Sequence, residues 1–563
     1  MIYGYKDISA GKVVGPVDVC IIGSGSGGSV MAHYLAQAGY SVVVLEKGGY
    51  FPPEELGRKE VALLTRIEGM TIFTPVTGEY TRVSLISGEC YGGGTVASES
   101  VTWDFPKVVL DDWEKLGLNS WARSNHKLGL YQEELNKLLV VEPVEAKDHN
   151  MCNWLLKLGA EREGLSWKSV DRPAPGCIRC GNCTQGCYYQ LKNDAANTFL
   201  TWAQKHKTDV YCGARVTRLQ INYPGPEDQP YRDKLQSAQG AAKEDIIREI
   251  RQRARNAVTK FTVWAEVSDR KKAAPRSGKL DTRGMAVHAR QVVLAAGPLG
   301  SSRLLMKSKI NPNGVVGKRF TTHPTAEQTG RFGREVMIRG WDGINDSIEV
   351  HHFADLNRHQ PYYDPNKHGF LYEANSSLPW GIANLLPGTG QVHLERMRDM
   401  NFYSGVELNR KTDSYGVITE NEVKFDISER DNECMLFGTY IAARLLFRVG
   451  AKEVYTGIPG LILTSPSQLD EIFKKGRGKG KGYMQKQANM YSGHIFGGCI
   501  MGVDPKTSFA DETGECHDLK GLWVADGSAF PTNVGVNCAM SIMFAARKIA
   551  DDFIINGKVD ISP

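Results

Sequence analysis

The sequence predicts a chain of the α/β and α+β classes, with one half built on a parallel sheet and a second half holding a mixed or antiparallel sheet. Three observations lead there. Residues 17–47 run strand, glycine turn, helix, strand, the pattern of a parallel crossover unit. Residues 292–310 and 521–555 repeat the order strand, turn, helix, whereas residues 325–490 alternate short strands with turns. Finally, 563 residues exceed what one hydrophobic core holds, so two or three domains are expected.

Within residues 17–47, Val17 to Ile22 is an apolar run suited to a strand buried on both faces. It breaks into Gly23-Ser24-Gly25-Ser26-Gly27-Gly28, which satisfies G-x-G-x-x-G through Gly23, Gly25 and Gly28. Gly23 permits the tight turn, Gly25 lets backbone approach a pyrophosphate, and Gly28 lets helix and strand pack closely. The helix opened by Ser26 offers free N–H groups and a partial positive charge to phosphates. A second apolar run ends in Glu46, about 20 residues on, where a carboxylate accepts from ribose hydroxyls. The unit is a Rossmann-like dinucleotide site, and these residues do not separate NAD from FAD.

Composition narrows the function classes. With 60 glycines, about a tenth of the chain, many close backbone approaches are expected, as around a large buried cofactor. A net charge of +5 is small for this length and argues against nucleic acid as partner. Cys434 to Phe447 is the best apolar stretch and is too short to span a bilayer. The N-terminal residues lack an apolar signal core, so a cytoplasmic protein is expected, with peripheral membrane contact as an option. Twelve cysteines in that setting point to thiols or metal ligands rather than to a disulfide framework.

Further elements follow in order. Residues 51–87 read as a connecting region, and Gly92-Gly93-Gly94-Thr95 then marks backbone lying close against something flat or bulky. Residues 111–165 read mainly as helices. Asp209 to Leu219, Val263 to Val267 and Val287 to Leu294 read as strands of a meander, interrupted by a charged insertion at residues 223–259. In that insertion Ile246, Ile247 and Ile250 form an apolar stripe among arginines, read as a solvated helix or a membrane-surface one. Lys474 to Gly482 reads as a mobile basic loop.

Cys177, Cys180, Cys183 and Cys187 have the spacing C-x2-C-x2-C-x3-C, the bacterial ferredoxin run with Tyr188 where proline usually follows. Three readings stand: an iron–sulfur cluster (4Fe–4S or 3Fe–4S), a zinc site, or thiols and disulfides without metal. In two-cluster ferredoxins the fourth cysteine of such a run, matched here by Cys187, serves the other cluster. With a cluster, electrons would pass singly to an acceptor protein or quinone; without one, oxygen could accept them.

Taken together, the fingerprint with Glu46, the Gly92–Thr95 cluster, Ala295-Ala296-Gly297 with its helix, and the C-terminal block resemble the glucose–methanol–choline oxidoreductases over nearly the whole chain. That block is His494-Ile495-Phe496-Gly497-Gly498-Cys499, Asp526-Gly527-Ser528 and Gly535-Val536-Asn537, and its wording is most similar to the sterol-oxidase branch. The resemblance implies a small-molecule alcohol as substrate, oxidised to the carbonyl with FAD as cofactor. It implies a discontinuous FAD domain over 1–100, 196–325 and 494–563, and a substrate domain over 101–195 and 326–493. It also implies flavin contacts at Gly93, Gly94, Thr95, Gly297, Asp526 and Gly527, with the Val216 backbone at the adenine. Cys538 after Asn537 and Ser98 after the glycine cluster depart from the family pattern.

His494 and Asn537 are the candidate catalytic pair. A neutral imidazole is suited to take the hydroxyl proton near pH 7, and an amide orients the oxygen without titrating. Trp380, Phe402 and Tyr403 point to a hydrophobic or aromatic alcohol. An oxygen-using alcohol or sterol oxidase, a flavin-dependent lyase on the same scaffold and a non-catalytic electron carrier are the competing functions.

Overall fold

A computed structural model describes residues 1–56, 71–222, 239, 260–269, 281–311, 313–333, 336, 342–354, 369–374, 404–408, 414–486 and 490–560. The 223–259 insertion, except residue 239, lies outside the described residues, as do Trp380, Phe402 and Tyr403.

Lys12–Ile22, Val42–Glu46 and Asp209–Cys212 form the parallel centre of the first sheet, with Ile2–Tyr3 at its edge. Val19 to Ile22 and Val42 to Leu45 are buried, as their valine-rich runs require of strands covered on both faces. Thr282–Leu294 is the pivot of this sheet. It runs parallel to Lys12–Ile22 on one side and antiparallel to Phe261–Ser268 on the other, and its last three residues pair with Leu522–Val524. Ala214–Ile221 closes the meander against Phe261–Ser268. The helix Ser26–Gln37 lies over the sheet, its buried Gly27, Gly28, Ala32 and Ala36 allowing close approach, and the C-terminal helix Cys538–Asp560 packs on it.

The second sheet is mixed. Thr325–Arg331, Ser404–Leu408, Phe370–Glu373, Ile348–Val350 and Trp167–Ser169 are antiparallel neighbours in that order. Thr71–Thr77 and Arg82–Gly88 extend it through a parallel pairing with Met490–Ser492. The helix Glu429–Arg448 backs it, capped by the Ser428 hydroxyl accepting from Asp431 N, and buries Met435, Leu436, Ala442 and Leu445.

The fold class is as read from sequence, but the two cores divide the chain differently at two places. Residues 71–88, grouped by sequence with the nucleotide half, belong to the second sheet. Val83 and Leu85 alternate with outward residues and bury into the second core, a period-two signal the polar Thr and Ser neighbours obscure. Conversely, the helices Lys107–Lys115 and His126–Leu139 send Val109, Trp113, Leu128 and Leu135 into the first core. Trp113 Nε1 donates to Thr532 Oγ1 at 2.9 Å, tying them to the C-terminal block. Residues 474–482 are also more ordered than their composition suggests. A helix covers Glu471–Gly476, and Gly476 is buried with no room for a side chain beside Leu436.

Candidate active site

Three distant segments converge on the glycine fingerprint. A methyl on Gly23 would sit 2.2 Å from the Ala295 carbonyl oxygen, one on Gly27 1.7 Å from that of Ala525, and one on Gly93 2.7 Å from Gly25 Cα. Only glycine lets these backbones touch. By contrast, a methyl on Gly94 or Gly297 would meet nothing within 4 Å. The turns therefore close tightly on one another and leave open room along the other side, a cradle sized by backbone for a flat cofactor.

The two acidic residues of this region are held by protein donors. Glu46 accepts from Ser24 N at 2.9 Å, Ser24 Oγ at 2.6 Å and Gly48 N at 2.7 Å, and burial pushes its pKa up. Asp526 accepts from Gly297 N at 2.8 Å, Ser301 Oγ at 2.7 Å and Ser528 N at 2.7 Å, with its pKa likewise raised by burial. Thus Asp526 clamps the start of the helix Gly297–Lys307 to the C-terminal turn, and Glu46 anchors the fingerprint turn. Thr95 Oγ1 donates to Gly92 O and accepts from Ala195 N, fixing the second glycine cluster. Ser26 opens its helix after Gly25. Val216 lies at a register shift between Ala214–Ile221 and Phe261–Ser268, and Gly497 N donates to Gly527 O.

The candidate catalytic pair comes from two elements. His494 sits between Met490–Ser492 and Ile495–Phe496, and Asn537 immediately precedes the helix Cys538–Asp560. Sequence reasoning missed two neighbours. Thr321–Thr322 pairs with Ile495–Phe496, which brings His323 Nδ1 to 3.3 Å from His494 Nδ1. Gly535 N donates to His323 Nε2 at 3.2 Å, so the G-V-N segment is linked through His323 to His494. Asn537 Nδ2 donates to Glu373 Oε2 at 3.4 Å, at the end of Phe370–Glu373. Asn537 Oδ1 is buried and has no hydrogen-bond partner among the described residues. A His-Pro step at residues 323–324 was the available signal for His323; Glu373 had none, since only folding brings it to Asn537.

Cys177, Cys180, Cys183 and Cys187 line one cavity with Arg172 and Lys192. All four are free thiols, and among the described residues no three His, Cys, Asp or Glu side chains are arranged to hold a metal ion.

The GMC oxidoreductase family models match residues 17–325 and 404–546, spanning both the glycine cradle and the His494–Asn537 block. The chain is a GMC oxidoreductase. Among its relatives, a long-chain-alcohol oxidase of Arabidopsis thaliana is 28% identical over 560 residues, covering 95% of this chain and 67% of that protein. A cholesterol oxidase of Acinetobacter baumannii is 21% identical, over 94% of this chain and 93% of its own. Of solved structures, a pyridoxine 4-oxidase from Mesorbium loti superposes with a TM-score of 0.62 at 14% identity, covering 95% of this chain and 99% of that one. An Aspergillus oryzae RIB40 formate oxidase gives 0.66 at 14%, covering 98% and 100%. At those identities the structures show the fold. Membership makes this GMC chain an FAD-dependent oxidoreductase, and the cradle over Gly94 and Gly297 fits that cofactor. No described helix is long and apolar enough to cross a membrane.

Proposed function

We propose that the chain oxidises a hydrophobic alcohol to its carbonyl. One observation carries this: a buried, unpartnered amide oxygen on Asn537, next to Glu373 and joined through Gly535 and His323 to His494. An orphaned buried acceptor is costly unless a ligand's O–H completes it. The four long-chain-alcohol oxidases of Arabidopsis thaliana that match 94–95% of this chain support an apolar substrate.

FAD, held along the Gly23–Gly28 turn, Gly93–Thr95 and Gly297, would supply the acceptor for the hydride of the carbinol carbon. The protein must orient the hydroxyl and remove its proton as that C–H bond breaks. The sequence alone gives the proton to His494, and the hydrogen-bond chain refines this. With Gly535 N–H donating to Nε2, a neutral His323 carries its proton on Nδ1 and directs it at His494 Nδ1. His494 then keeps its own proton on Nε2 and offers an N–H to the alcohol oxygen. It accepts a proton only if the pair shifts protons by one place and breaks the Gly535 bond. Asn537 Oδ1 accepts the hydroxyl hydrogen in the bound alcohol, and Glu373, paired to the same amide, is the carboxylate that takes the proton as the hydride leaves.

The test is anaerobic mixing of the purified flavoprotein with short, medium and long 1-alkanols, benzyl alcohol and cholesterol, following flavin bleaching. Long alkanols are expected to bleach it fastest. Bleaching by none of these alcohols would overturn the reading.

A further inference from the structure

The cavity walled by the four cysteines holds an unusual cation. Arg172 is 3% exposed. Its Nη2 donates to the Glu99 carbonyl oxygen at 2.6 Å and to Cys183 Sγ at 3.0 Å, while Nε and Nη1 are buried with no hydrogen-bond partner among the described residues. A guanidinium out of water with two of its three nitrogens unpaired is expensive, and is stabilised when an anion completes it. Lys192, 2% exposed, lines the same cavity and donates from Nζ to the carbonyl oxygens of Val96, Ser98 and Cys183. The acidic neighbour is Glu99, whose carboxyl lies near Cys183 and Arg172 and keeps Oε2 unpartnered.

The thiols are set as thiolate ligands would be. Arg179 N–H donates to Cys177 Sγ at 3.5 Å and Leu191 N–H to Cys187 Sγ at 3.3 Å, alongside the Arg172 contact to Cys183. Left-handed backbone at Arg179 (φ 63°), Gly181 (φ 68°) and Gly186 (φ 80°) turns the loop around the cavity between successive cysteines. Yet no three of these sulfurs converge as ligands of one ion. A zinc centre needs four donors at about 2.3 Å from a single point, whereas a cluster meets each thiolate through a different iron.

We propose that Cys177, Cys180, Cys183 and Cys187 hold an anionic iron–sulfur cluster, with Arg172 as its buried counter-charge. N–H bonds to the ligating sulfurs and a nearby cation both favour the reduced cluster, so Arg172 tunes its potential upward. Lys192 links the loop to the Val96–Ser98 backbone, directly after the Gly92–Thr95 turn of the flavin cradle, which places the cluster beside the cofactor site.

The test is anaerobic purification of the full chain, with iron, acid-labile sulfide and zinc measured per flavin and EPR recorded before and after dithionite. The expected result is about three or four irons with matching sulfide per chain. Cys180→Ser should lose most of that iron. Arg172→Gln should keep iron but move the cluster's midpoint potential to more negative values, a change a purely structural arginine would not produce. Zinc in place of iron would overturn the proposal, as would wild-type protein that takes up no iron and sulfide on anaerobic reconstitution. The readout is independent of alcohol oxidation: iron without bleaching condemns only the alcohol assignment, and bleaching without iron condemns only the cluster.

Discussion

The glycine cradle and the His494–Asn537 end of the same site are built on opposite principles. In the cradle, Glu46 and Asp526 each receive three protein donors, and the backbones touch wherever a glycine stands. Both carboxylates are satisfied by protein donors alone. At the reacting end, and again at the cysteine cavity, the protein leaves polar atoms unfinished: Asn537 Oδ1, Arg172 Nε and Arg172 Nη1. The difference teaches where to look for ligands that react rather than ligands that are merely held. Groups satisfied by protein keep their geometry with or without cofactor, whereas orphaned groups wait for an occupant to repay their desolvation.

The largest expected effect breaks the reacting end alone. His494→Ala should lower the rate of anaerobic flavin reduction by about 10²-fold or more, with FAD content unchanged, because the cradle does not use this side chain. Glu373→Gln should cost a similar factor if the carboxylate takes the proton. A near-normal stopped-flow rate for Glu373→Gln would return the base to His494, and near-normal reduction in both variants would remove both residues from the chemistry.

Two glycine replacements sharpen the contrast from the other side. Gly27→Ala drives a methyl into the Ala525 carbonyl and should cost about 1–3 kcal/mol of stability or more, with loss of folded yield. Gly94→Ala meets no protein atom within 4 Å, so the apoprotein should melt within about 0.5 kcal/mol of wild type. Its methyl instead occupies cofactor space, and FAD affinity should fall about tenfold, or ~1.4 kcal/mol. Thermal melts with and without added FAD check both. Equal behaviour of the two variants would erase the distinction between backbone contact and cofactor room.

What was legible in the sequence follows the same division. The strand, glycine turn, helix and Glu46 lie within thirty or so consecutive residues, so local spacing carries their geometry. The meander was legible because Val263 to Val267 and Val287 to Leu294 keep an apolar strand pattern, and their pairing follows. His323 and Glu373 were not, because each reaches the site through pairings distant in sequence, 171 residues in the case of His323 and His494. Arg172 was hidden for a related reason. Five residues before the first cysteine it reads as an ordinary surface arginine, and only the folded loop shows that its nitrogens are buried and unpaired.

The smallest effect concerns how each core tolerates acid. Burial lowers the pKa of His33, in the first core, from 6.5 to about 4, and does the same to His149, which bridges Ser347 and Ser169 in the second half. The sign follows from proton binding: between 6.5 and about 4 the unfolded chain takes a proton that the folded histidine refuses. The stability each neutral histidine permits is therefore intact above 6.5, falls as the pH drops through that window, and levels off below about 4. Glu46 and Asp526 act in the opposite sense, since their raised pKa values let the folded state bind protons first as pH falls. A single-site difference separates the two. His33 packs against the rings of Tyr34, Phe199 and Trp202 at 4.8, 5.8 and 5.4 Å, so phenylalanine can replace it within an aromatic cluster. His33→Phe should leave melting near wild type at about pH 7 and melt higher than wild type at about pH 4.5. Parallel curves for the two proteins across that range would show that His33 titrates normally in the folded state.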